Sequence, residues 1–112
     1  MIPKGRYKSA FILPLSTEKT LGDVGWEFHS DKRLPKSTEE FLRETLHLKL
    51  SKSFLGVINY ENESLEASVI LDDTGEIEEV YLKLYSVDME HFSSIFYLSH
   101  LSSFAELFFP SE

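Results

Sequence analysis

A chain of 112 residues with 11 Lys/Arg, 19 Asp/Glu and no cysteine fits a single domain, 1–112, that can bury a core without covalent staples. The absence of cysteine excludes disulfides, thiolate catalysis and cysteine-ligated metals, and it suits a reducing cytoplasm. A formal charge of −8 argues against nucleic acid as a ligand, because a phosphate backbone demands basic surface.

At the N-terminus Lys4, Arg6 and Lys8 precede the apolar run Ala10-Phe11-Ile12-Leu13, a superficial likeness to a signal peptide. Pro14 stops that run well short of the roughly seven apolar residues a signal core needs. The segment "GRYKSAFIL" instead alternates Tyr7, Ser9, Phe11 and Leu13 against Arg6, Lys8, Ala10 and Ile12, the pattern of a first strand. "STEKTLGDVG" reads as a loop with two glycines. "VGWEFHS" is a short strand with Trp26 and Phe28 on one face, and "SDKRLPKS" is a charged loop closed by Pro35.

Ser37-Thr38-Glu39-Glu40 has the S-x-x-E form of a helix capping box. Phe41, Leu42, Thr45, Leu46 and Lys49 continue it as a helical stripe to about Leu50, although "LHLKLS" alternates equally well as a strand. Three strands follow. "FLGVINY" is β-rich, "ENES" turns the chain, and "LEASVILD" faces Leu65, Ala67, Val69 and Leu71 one way. "DDTG" supplies turn chemistry. In "EIEEVYLKLYS", Val80, Leu82 and Leu84 share one face while Glu79, Tyr81, Lys83 and Tyr85 share the other. The segment from Ser86 to Pro110 reads as a helix, with Asp88 as its N-cap and Pro110 as its stop. Phe92, Ile95, Phe96, Leu101, Phe104, Ala105 and Phe108 form its apolar stripe. With Glu90, His91, His100, Glu106 and several serines it is too polar to span a membrane, and a soluble protein is expected. The expected class is α+β: an antiparallel sheet of about four to five strands, ending in a meander, packed on a central and a C-terminal helix.

Few constellations carry chemistry. Glu27, His29 and Asp31 alternate, so a strand would set all three on one side as a ligand set requires. Any half-exposed strand shows the same pattern, however, and His47 and His91 lack a ligand-type neighbour one helical turn on. Asp72-Asp73-Thr74-Gly75 lacks the spacing of a calcium loop. No metal or cofactor is expected. His100 lies among Ser99, Ser102 and Ser103 without an orienting group or an oxyanion site, and no nucleophile elbow or phosphate loop occurs.

Charge is unevenly spread. Residues 1–60 hold ten Lys/Arg and seven Asp/Glu, whereas residues 61–90 hold ten Asp/Glu against Lys83 alone. Paired carboxylates do acid–base work when their environments differ, and carboxylates on a sheet face and its turn offer no such contrast. Two readings stay open for Glu66, Asp72, Asp73, Glu76, Glu78 and Glu79, with Tyr81, Lys83 and Tyr85. They form either a solvated face that discourages association or a surface for a basic partner, with the tyrosines as contact anchors.

In size, lack of cysteine, the acidic hairpin "LDDTGEIEEVYLKLY" and the aromatic helix after it, the chain resembles the bacterial immunity proteins that neutralise contact-delivered or secreted toxins. The resemblance is one of type. It implies a non-enzymatic cytoplasmic protein that binds a cognate toxin with a basic surface, frequently a nuclease, with neither nucleic acid nor membrane as partner. Two rivals remain. One is a small-molecule or catalytic pocket between the sheet and the C-terminal helix, with His91 or His100 as acid–base. The other is a structural subunit that dimerises through a sheet edge.

Overall fold

A computed structural model describes residues 6–110. Its strands are β1 (Lys8–Pro14), β2 (Glu18–Gly22), β3 (Gly25–His29), β4 (Lys49–Phe54), β5 (Val57–Glu61), β6 (Leu65–Leu71), β7 (Ile77–Leu84) and β8 (Ala105–Phe108). Six of them form an antiparallel sheet in the order β4-β5-β6-β7-β1-β8, and β2 and β3 form a separate hairpin. The α+β class is as expected; the strands are more numerous. Lys4, expected ahead of the first strand, Gly5, expected at its head, and Glu112 lie outside the described residues.

Alternation places Ala10 and Ile12 of β1, Leu65, Ala67 and Val69 of β6, and Val80, Leu82 and Leu84 of β7 on one buried face. Two helical segments cover it. The first is α1 (Ser37–Glu40), continued by a π-helical turn (Phe41–Thr45); the second is α2 (Met89–Leu98). Phe41, Leu42, Phe92 and Phe96 fill the space between the layers, and Phe41 meets Phe96 edge-on at 5.9 Å. Each such side chain contributes about 1.5–3 kcal/mol by leaving water. The Tyr60 hydroxyl of β5 donates to Glu39 of α1 at 2.6 Å, a polar tie between sheet and helix. Asp88 caps α2 as expected, accepting from the His91 amide at 3.1 Å. Among the described residues no helix is long and apolar enough to cross a membrane.

Several sequence expectations need correction. The loop at 16–25 contains β2, paired with β3 through Lys19↔Phe28 and Leu21↔Trp26. This strand has no buried face of its own, so no hydrophobic alternation announced it. The central helix stops at Thr45, not Leu50. The Leu46 amide donates to Phe41, five residues back, and His47 takes the left-handed region at φ 59, which ends the helix. The strand alternative for the residues that follow is the one adopted. Ser37 lies inside the first turn rather than capping it. Pro35 and Lys36 carbonyls accept from the Thr38 and Glu39 amides in its place.

"FLGVINY" is not one strand: Phe54 ends β4, Leu55-Gly56 makes the turn, and Val57 begins β5. The C-terminal helix ends at Leu98. A 3-10 turn (His100–Ser103) follows, and the chain then enters β8 beside β1, with Phe11 opposite Phe108. The free edge of β1 offers ladder hydrogen bonds that a longer helix would forgo.

Candidate functional site

The face of the sheet turned away from the helices is built in two parts. Trp26 and Phe28 share one side of β3, and this side lies across β1 and β8. Phe28 sits 4.8 Å from Phe11 and 5.7 Å from Phe108, and Trp26 sits 4.9 Å from Phe108. Lys19 of β2 pairs with Glu106 of β8, pinning the hairpin down. Leu13 is buried here even though it alternates away from the main core. Tyr81 borders this aromatic layer, 5.0 Å from Phe11, and exchanges a hydrogen bond with Ser9 at 3.0 Å. Beyond it the face is polar. Glu66 stands opposite Lys83, and Ser68 donates to Asn59 at 2.7 Å. Lys83 lies over the Tyr7 ring at 5.1 Å, and Tyr7 meets Tyr85 edge-on.

The remaining acids gather at the opposite end of β7. Asp72 accepts from Arg33 Nε at 2.8 Å. It also accepts from the Thr74 hydroxyl and amide at 2.8 Å and from the Glu76 amide at 3.0 Å. The guanidinium first, then the Thr74 hydroxyl and the turn amides, hold its carboxyl well below the ordinary range. A backbone bond from Leu34 to Ile77 at 2.9 Å fastens the Arg33 loop to the turn. Asp72 is therefore the clasp of the turn. Asp73, Glu76 and Glu78 are exposed around it, with Glu78 3.7 Å from the same guanidinium. Glu79 differs from all of these. It is half-buried, and burial, then the charge of Glu78, push its carboxyl upward.

Glu78 and Glu79 form one wall of a cleft of about 610 Å³, with Leu13–Thr17 and Phe28–Arg33 as the others. It lies under the hairpin, on the side away from the helices. Under the C-terminal helix, where a pocket was one expectation, the space holds Phe92 and Phe96. His91 and His100 are both exposed. Glu27 and His29 approach to 4.0 Å, and no set of three His, Asp or Glu that could hold a metal occurs among the described residues.

The nine site residues singled out from sequence thus occupy three places. Asp72, Asp73, Glu76 and Glu78 crowd one turn, and Glu79 lies at the cleft. Glu66, Tyr81 and Lys83 lie on the open polar face, with Tyr85 just past the far end of β7. One group escaped sequence reasoning. Phe54 and Leu55, at the β4–β5 tip, are 72% and 85% exposed. They adjoin the acidic turn, since the Leu71 amide donates to the Gly56 carbonyl at 2.8 Å. The readable signal was a two-residue Leu-Gly loop between alternating segments. Compared with family models, curated proteins and solved structures, the chain has no significant match.

Proposed function

We propose that this protein is a non-enzymatic binding protein that neutralises a cognate protein toxin of basic surface, in the manner of the bacterial immunity proteins it resembles. It would act in the cytoplasm, and a nuclease is the class of toxin whose cleft an acidic surface occludes best. The observation that supports this reading is the β6–β7 turn. Asp73 and Glu76 are presented to solvent on a turn fastened by the Asp72 clasp, exposed Glu78 follows at the start of β7, and the guanidinium of Arg33 beside them is bonded to Asp72 and lies 3.7 Å from Glu78. Preorganised charge of one sign steers a basic partner and raises its association rate more than its final affinity.

The decisive experiment reverses the exposed charges, Asp73→Lys with Glu76→Lys, and leaves the Asp72 clasp and half-buried Glu79 untouched. The partner is the basic protein retained by the immobilised full chain from a lysate of its own cells. Association with the altered chain should slow about tenfold or more at low salt, and the difference should fade as salt rises. Equal association rates at low salt would defeat the proposal. Co-expression with the partner should restore growth where the partner alone stops it.

A further inference from the structure

We infer that Phe54 and Leu55, at the tip of the β4–β5 hairpin, are an apolar anchor that enters a recess on the same basic protein partner. This inference rests on the partner reading above and adds a contact of different chemistry to it. Three observations carry it.

The first is backbone conformation. Leu55 and Gly56 connect the strands with φ of 48 and 82, both positive, as a type I′ turn requires. Glycine accepts that region freely, and Asn or Asp tolerate it; a leucine there is strained. Folding alone would favour another residue.

The second is that the core does not ask for these side chains. All six residues of β4 are exposed, Phe54 among them, and Leu55 lies beyond the strand end. A strained, exposed leucine beside an exposed phenylalanine at a tip is what a binding anchor looks like before its partner arrives.

The third is the neighbour. The Gly56 carbonyl accepts from Leu71, one residue before Asp72, so the apolar tip and the acidic turn form one continuous end of the sheet. An apolar anchor beside charged groups is the arrangement of a hot spot with a polar rim.

Charge also selects the occupant. The acidic turn would be repelled by anionic lipid headgroups, which disfavours a membrane. A symmetric pair of copies meeting at this end would oppose like charges. Pairing through the β4 edge is blunted by Lys49, Lys52 and a bulge between Leu50 and Lys52. A basic protein with an apolar recess satisfies both parts of the surface.

The test uses Leu55→Asn, which suits the turn while deleting the anchor, together with Phe54→Ser. The probe is the basic protein retained by the immobilised full chain and eluted by salt. Leu55→Asn should raise Tm by a few degrees and weaken binding about tenfold or more, chiefly through faster dissociation. Its salt dependence should match that of the wild type, whereas Asp73→Lys with Glu76→Lys should alter the salt dependence and the association rate. If Leu55→Asn binds as tightly as wild type while the charge reversals still slow association, the anchor is refuted and the steering surface stands. If the wild-type chain retains no basic protein, the partner reading fails and the anchor fails with it. Flotation of the wild-type chain with phosphatidylserine vesicles, or a solution dimer that Leu55→Asn dissociates, would assign the tip to another occupant and overturn the inference.

Discussion

The two faces of the main sheet are covered by different means. On the helical side, Phe41, Phe92 and Phe96 are wholly enclosed and belong to one continuous apolar cluster. On the other side a single hairpin brings Trp26 and Phe28 down on Phe11 and Phe108, while β4 to β6 stay uncovered, polar at Asn59, Glu61, Glu66 and Ser68 and apolar only towards Phe54, Val57 and Ile70. The contrast teaches that strand alternation guarantees one dry face and says little about the second. The second face here is dry only where a hairpin, not a helix, supplies aromatic rings. The acidic turn and the apolar tip lie at the end of the sheet, where neither cover reaches.

Substitutions can weigh the two covers against each other. Phe96→Ala should cost about 3–5 kcal/mol, since a closed site leaves a cavity when a ring is deleted. Phe28→Ala, on a half-exposed ring, should cost about 1–2 kcal/mol. Denaturant unfolding measures both, and equal losses would mean that the hairpin layer is as much core as the helical one. The helical side also contains polar joints. Burial first, then the hydrogen bond to Glu39, push the Tyr60 hydroxyl up to about 12. The folded state therefore holds this proton more tightly than the unfolded chain, whose tyrosine titrates near its ordinary value of 10.0. The stabilisation is complete below that pH and disappears as the pH climbs from there towards the folded value. Tyr60→Phe should cost about 1 kcal/mol at neutral pH and flatten the alkaline decline; a decline of unchanged steepness in this variant would place its origin elsewhere. The smallest effect has the opposite sign. Thr38 is fully buried and its hydroxyl has no hydrogen-bond partner among the described residues. Thr38→Val should therefore raise stability by up to about 1 kcal/mol, read as a higher Tm.

How far the residues announced the fold depends on how local the cause was. The β6–β7 hairpin was legible apart from its bulge, where Ile70 faces Glu79 and Leu71 faces Ile77, because Asp72 to Gly75 carry their own turn chemistry and Val80, Leu82 and Leu84 alternate. The same holds for the Asp88 cap. β2 was hidden because Glu18 to Gly22 bury no face. β8 was hidden because Phe104, Ala105 and Phe108 fit a helical period, and only the free edge of β1 made a strand preferable. The capping box at Ser37 was a correct pattern in a place where neighbouring carbonyls already did its work. In the candidate site, the acids themselves were visible, but their division into a clasp, three exposed carboxylates and the half-buried Glu79 was not. Arg33, 39 residues from Asp72 in the chain, singles out the clasp, and the cleft walls brought up from 13–17 and 28–33 half-bury Glu79.

The order of residues by itself settles the α+β class, the buried face of β6 and β7, the acidic character of 61–90 and the absence of cysteine chemistry. Each follows from periodicity or composition, which act within a few residues or on the chain as a whole. Tertiary structure alone decides that a hairpin roofs the outer face over β1 and β8 and that a supposed helix yields the sixth strand of the main sheet. It alone sets a strained leucine beside the acidic turn. Those outcomes depend on which distant surfaces meet and on the free energy gained when they leave water together, and no short stretch of sequence contains that information.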